Sequence, residues 1–309
     1  MRNYITLFFI LFSLKQAYCQ TETNSFDYNK EIERSGVVVQ RQKIDSVKIF
    51  EKVVLDGFDS KIPFYHYLNE SYDEKKYVFL LHGLGDTKEN WVYPSEPYLD
   101  WSRNITSIKD SLLSLGYSLL IPDAKFHGER SYELGFRPPA SLPPDVSRNI
   151  EDSQLFETMM TSTVKDLRIM MDYIQTCSAE PVRSFDIIGY SMGGNLAILL
   201  SVFDERISSV VACVPPINLP ARGLESFDWP QDIIQGQINI TPMTYGNLQS
   251  SPILLLMGNQ DFFSTEEEVS EFFDKIPIQD KKLKYFDSGH ILPNEYKLDA
   301  IKWIVDHKK

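Results

Sequence analysis

Cysteine is scarce in this chain: three of 309 residues, one of which, Cys19, falls in an N-terminal stretch that reads as removable. Two remaining cysteines do not make a disulfide framework, so the fold must rest on its apolar core. Cys213 lies on an apolar run and reads as a small buried side chain. Cys177 ends a helix, and the sequence leaves a bridge between the two open. Positive charge is also in deficit, with 31 Lys and Arg against 43 Asp and Glu and a formal net charge of −12. That balance disfavours a nucleic acid or an anionic membrane as partner and favours solubility. No Walker loop and no dinucleotide glycine fingerprint occurs, so no nucleotide cofactor is implied. No cluster of His, Cys and Asp has the spacing of a metal site.

The first apolar run, Ile5 to Phe12, is too short for a membrane span, which takes about twenty residues. Arg2 precedes it, and Ala17, Tyr18 and Cys19 follow as a cleavage region before Gln20. This pattern reads as a secretory signal peptide, and the mature protein is expected outside the cell or in the periplasm without stable membrane insertion. A lipoprotein signal ending at Cys19 fits less well, because Gln16 and Tyr18 suit it poorly. The expected organisation is a signal peptide over 1–19, an N-terminal extension over 20–46 and one α/β domain over 47–309. Strand and helix patterns alternate through that domain, which argues for parallel strands joined by helical crossovers.

Within it, Phe185-Asp186-Ile187-Ile188-Gly189-Tyr190-Ser191-Met192-Gly193-Gly194 is an apolar strand that breaks at a serine bracketed by glycines and runs on into a helix. A sharp strand-to-helix turn exposes the Ser191 hydroxyl above the first unpaired N–H groups of the helix, that of Met192 above all. A bare G-x-S-x-G is only moderately specific; the strand before it and the helix after it raise its weight.

A nucleophilic serine needs a base, and the base needs an orienting carboxylate. Pro252 to Gly258 reads as a buried strand whose following loop carries Asp261. Lys282 to Phe286 reads as an edge-side strand leading to His290 on a loop. Of the five histidines, His66 lies in an early strand, His82 and His127 precede the serine, and His307 sits at a helix end, so His290 is the candidate base. Glu266, Glu267 and Glu268 compete with Asp261 but read better as the acidic first turn of a helix running toward Lys275. The strand Tyr77 to Leu81 ends in His82-Gly83-Leu84-Gly85, where glycine lets the main chain approach a substrate closely. The Leu84 and Met192 N–H groups are the candidate oxyanion donors, and His82 reads as a prop bonded into a neighbouring loop.

These segments, together with Ile121-Pro122-Asp123-Ala124-Lys125-Phe126-His127-Gly128 and its P-D-x-x-x-H-G pattern, resemble the α/β-hydrolase superfamily. The resemblance is to its small carboxylesterase and dienelactone-hydrolase-like members and spans about residue 47 to the C-terminus. It implies a mostly parallel central sheet with helices on both faces, small lid or loop insertions, and a triad of Ser191, Asp261 and His290. Members with aspartate or cysteine at the elbow dehalogenate or open lactones; serine argues against both. The expected activity is hydrolysis of a small carboxylic ester through an acyl-enzyme. A thioesterase or peptidase could use the same groups, since the triad does not encode the leaving group, and a binding protein without turnover is the alternative from another class. Two irregular segments, Ser131–Asn149 and Pro215–Ser251 with Trp229 and Tyr245, read equally as surface loops or as pocket walls. The aromatic stretch of Trp91, Tyr93, Tyr98 and Trp101 reads as pocket lining or core packing.

Overall fold

The structure, a computed structural model, describes residues 24–71, 76–94, 105–178, 181–218 and 228–307. The expected signal peptide and the aromatics Tyr98 and Trp101 lie outside these residues. Nine strands among them form one sheet: β1 Gly36–Lys43, β2 Lys48–Asp56, β3 Lys61–Asn69, β4 Tyr77–Leu81, β5 Ser118–Pro122, β6 Phe185–Tyr190, β7 Ile207–Cys213, β8 Ile253–Gly258 and β9 Lys281–Phe286. Their order across the sheet is β1-β2-β3-β5-β4-β6-β7-β8-β9. The pairs from β1 to β5 are antiparallel, and every pair from β5 through β4 to β9 is parallel.

Residue pattern follows position in this order. The central strands β4, β5, β6 and β8 are buried at every residue, as expected where helices cover both faces. Toward the antiparallel edge, β2 alternates buried and half-buried residues, because one of its faces is wetter. The period-two alternation also sorts the core. Phe79, Leu81, Ile187, Val210, Ala212 and Leu255 point into one apolar cluster, while Val78, Leu80, Ile188, Val211, Cys213 and Leu254 point into another. On the first face lie α2 Ile150–Cys177, α3 Met192–Phe203 and α5 Glu266–Lys275; on the second lie α1 Thr106–Ser114 and α6 Tyr296–Asp306. A further helix, α4 Gln231–Asn239, packs on α2.

Local chemistry sets several helix starts. Asn149 accepts the Glu151 N–H ahead of α2. Thr265 and Glu268 form a reciprocal capping box at α5, whose first turn holds Glu266, Glu267 and Glu268. The two thiols among the described residues are unbridged, Cys213 buried and Cys177 exposed. The sheet begins earlier than residue 47: β1 pairs along β2, and Phe26 is buried and stacked on Phe203 with ring centroids 4.2 Å apart. Residues 24–46 therefore form an edge strand and an anchored lead into it. No helix among the described residues is long and apolar enough to cross a membrane.

Strand β4 lies between β5 and β6, so the chain leaves it in one direction and returns across it in the other. Ligands in open α/β sheets bind beyond the strand carboxyl ends at such a reversal. The segments after β4 and β6 emerge side by side there.

Candidate active site

Ser191 stands between β6 and α3 with φ +53° and ψ −117°, a conformation L side chains rarely adopt. Its N–H is held by the Cys213 carbonyl at 2.8 Å, and its carbonyl accepts the Asn195 N–H at 3.1 Å. The turn is possible only because the helix folds directly over the strand. A Cβ at Gly189 would lie 2.0 Å from the Gly193 carbonyl oxygen, and one at Gly193 would lie 2.3 Å from that of Leu81. Both contacts are with backbone, which cannot swing aside.

His290, on the loop after β9, sets Nε2 2.8 Å from the Ser191 hydroxyl oxygen. Its Nδ1 lies 2.9 Å from Asp261 Oδ2 and 3.1 Å from Oδ1. Asp261 follows β8 and is itself fixed by the Phe263 N–H, 2.9 Å from Oδ1. Phe263 packs edge-on against the imidazole at 4.6 Å. Ser191, His290 and Asp261, 99 and 29 residues apart in turn, are thus in one hydrogen-bonded line. With Asp261 on Nδ1–H, Nε2 carries the lone pair that faces the hydroxyl.

The loop after β4 is held from behind by two imidazoles. His82 donates Nδ1–H to the Gly83 carbonyl at 2.8 Å and accepts the Ala124 N–H on Nε2 at 3.1 Å. His127 donates Nδ1–H to the Lys125 carbonyl at 2.9 Å and accepts the Gly85 N–H at 3.1 Å. The rings lie 4.9 Å apart. Burial pushes both below the ordinary histidine range, His127 well below with His82 adding to the effect. Both are therefore neutral, as their accepting nitrogens require. The Gly83 carbonyl also takes the Asp86 N–H at 3.2 Å. In a trans peptide the Leu84 N–H points opposite to that pinned carbonyl. Gly83 lies beside the nucleophile, since a Cβ there would be 3.5 Å from Ser191 Cβ.

The P-D-x-x-x-H-G segment supplies the other side of this clamp. Asp123 receives the Lys88 ammonium at 2.6 Å, the Lys88 N–H at 2.9 Å and the Glu129 N–H at 3.0 Å. Burial would lower the Lys88 ammonium, but Asp123 and Glu129 outweigh it and hold the group above the ordinary lysine range. A Cβ at Gly128, where φ is +52°, would strike the Asp123 carboxylate. The role of His82 as a prop follows the sequence reading. His127, Lys88 and Asp123 share that role without having been singled out for it, because their partners are separated from them in sequence.

Leu84, Ser191, Met192 and His290 border one cavity of about 240 Å³. Its walls are mainly apolar, with Phe156, Met160 and Phe263 among them. The segment Ser131–Asn149 contributes Ala140, Pro143, Asp145 and Val146, whereas Pro215–Ser251 contributes Pro216. Trp229 instead packs with Ile233, and Tyr245 packs against Phe203 and Phe26. Trp91 is wholly buried in the core and Tyr93 is exposed. The aromatic wall comes from Phe156, Phe262 and Phe263, which the sequence reading missed; Phe262-Phe263 directly after Asp261 was the available signal.

The sheet order, the covered faces and the strand-end site define an α/β hydrolase. The sequence profile of the dienelactone hydrolase family matches residues 99–292, more than half of the chain, and the chain belongs to that family. Solved structures agree on the fold. An esterase from Pyrococcus furiosus is 21% identical, with a TM-score of 0.55 over 83% of this chain and 92% of its own. Acetyl xylan esterase 1 from Thermoanaerobacterium sp. JW/SL YS485 is 13% identical, with a TM-score of 0.69 over 92% of each. A cold-adapted esterase from an Arctic intertidal metagenomic library is 16% identical, with a TM-score of 0.61 over 88% of this chain and 98% of its own. Comparison with curated proteins gave no match.

Proposed function

We propose that this protein is a serine esterase that cleaves small carboxylic esters through an acyl-enzyme. The observation that carries the reading is the unbroken line from Asp261 through His290 to the Ser191 hydroxyl, opening into an apolar cavity. His290 takes the Ser191 proton through Nε2 as the oxygen attacks the ester carbonyl, and Asp261 stabilises the imidazolium that forms. Negative charge develops on the former carbonyl oxygen, and the Leu84 and Met192 N–H groups receive it. Collapse expels the alcohol, which takes its proton from His290. Water then attacks the acyl-enzyme by the same route, releasing acid and free serine.

The cavity's size and apolar walls favour a short, uncharged group against Phe156 and Met160. The neighbours in fold that are esterases, the acetyl xylan esterase among them, are consistent with such substrates. Ser191→Ala is expected to lower hydrolysis of short-chain nitrophenyl esters by at least about 10³-fold while leaving the circular dichroism spectrum unchanged, and to abolish labelling by a fluorophosphonate probe. Undiminished turnover in that variant overturns the mechanism, whereas a parent protein that neither takes the probe nor turns over esters, thioesters or amides favours a binding role. Export through residues 1–19 belongs to the same proposal. It is checked by the mass of the secreted protein, which should begin at Gln20.

A further inference from the structure

Tyr190, the residue between Gly189 and the nucleophile, reaches away from Ser191 toward the loop that carries the base. Its hydroxyl donates to the His290 carbonyl at 3.0 Å and accepts the Leu292 N–H at 3.0 Å. The side chain is buried, and its ring meets that of Tyr296 at 5.8 Å and that of His290 edge-on at 6.3 Å. One phenol therefore grips the backbone on both sides of Ile291, directly after the base. It is anchored one residue from the serine that the base must reach.

From this arrangement we infer that Tyr190 is a positioning residue, setting the separation between His290 Nε2 and the Ser191 hydroxyl; the inference rests on the esterase reading above. Asp261 bonds to Nδ1 and so fixes the rotation of the imidazole. A side-chain bond of that kind does not fix where the 290–292 backbone sits. The Tyr190 hydroxyl does, and its loss leaves a buried carbonyl and a buried N–H in need of new partners, which the loop can find only by moving. Displacements near 1 Å between reacting groups cost up to about 10²-fold in rate.

Tyr190→Phe keeps the ring and its packing, so substrate binding is retained while proton transfer suffers. The expected result is a fall in kcat of at least about ten-fold with KM within about two-fold, and a parallel fall in the rate of fluorophosphonate labelling. A loss of general stability does not give this split; Val211→Ala, a buried truncation on β7 away from the cavity, serves as the comparison and should lower Tm while leaving kcat per folded molecule intact. The decisive readout is a double-mutant cycle with His290→Ala. A residue acting through the base has no further effect once the base is gone, so Tyr190→Phe should leave the residual rate of His290→Ala unchanged. An equal fall in both backgrounds overturns the inference and assigns Tyr190 to the elbow itself. Should the phenylalanine variant fail to fold, 4-aminophenylalanine at position 190 retains a donor toward the His290 carbonyl. It should then recover kcat to within about ten-fold of the parent, and a deeper loss in a folded variant counts against the inference. A parent protein that neither turns over esters nor takes the probe defeats the esterase reading, whereas an active parent with an unimpaired Tyr190→Phe variant defeats this inference alone.

Discussion

At the scale of single residues, the site depends on what is missing from two of them. Gly189 and Gly193 let α3 cross β6 and β4 at backbone contact, and a methyl group at Gly193 would sit 2.3 Å from the Leu81 oxygen and 2.7 Å from that of His82. The same contact would push away the loop that carries Leu84, the proposed oxyanion donor. Gly193→Ala is therefore expected to cost about 3 kcal/mol or more, seen as a lowered urea midpoint, and any folded fraction should lose esterase activity. An unshifted midpoint would mean that the helix can slide over the strand at little cost. Residues of this kind are legible in sequence because their signal is local: a serine between two glycines, or a histidine at a strand end, carries its meaning within ten positions. Tyr190 and His127 carry theirs only through partners 100 and 42 residues away. Nothing in a single sequence marks a tyrosine as the support of a distant loop.

At the scale of elements, the parallel strands announced themselves through unbroken apolar runs, and the edge strand less plainly. β1 is GVVVQRQK, and seven of its eight residues are exposed; the chain reads as β-rich from Val37, but this stretch buries too little to place it inside the domain, whose start reads at residue 47. The connection between β5 and α2 was equally opaque, because charged groups shape it instead of an apolar stripe. Arg130 is wholly buried there. It bonds Asp166 on α2 at 2.8 Å, Glu133 at 2.9 Å and the Ser60 hydroxyl at 2.9 Å. Asp166 in turn accepts the Phe58 N–H at 2.7 Å, so one carboxylate ties α2 to the β2–β3 turn and to the loop carrying His127. Removing it leaves a guanidinium buried with part of its charge unmatched. Asp166→Ala should destabilise the protein by about 3–5 kcal/mol, measured by denaturant titration, and should loosen the loop that presents Leu84 enough to depress kcat in the fraction that remains folded. Asp166→Asn, which keeps an acceptor for Phe58, should cost less.

At the scale of the whole molecule, the fold places a neutral pair of histidines behind the Gly83–Gly85 loop and thereby links stability to pH. His82 and His127 each use one ring nitrogen as an acceptor, for the Ala124 and Gly85 N–H groups. Burial holds both below the ordinary histidine range. In the unfolded chain they titrate near the usual value of about 6.5, so as pH falls through that value the unfolded state takes up protons that the folded state refuses. The stability these residues confer is complete above about pH 6.5 and is lost progressively below it, by up to about 1.4 kcal/mol per pH unit for each histidine until its folded-state value is reached. Protonation of either ring would also turn an acceptor into a donor facing an N–H, releasing the loop that presents Leu84. Urea midpoints should fall from pH 7 to pH 5. A double variant, His82→Gln with His127→Gln, should start lower at pH 7 yet lose less across the same interval, because glutamine accepts without titrating. A parent protein whose midpoint is flat over this range would show that the two imidazoles take up protons within the fold as readily as in the unfolded chain. That would remove the acceptors on which the orientation of the Leu84 peptide, and with it the proposed oxyanion site, depends.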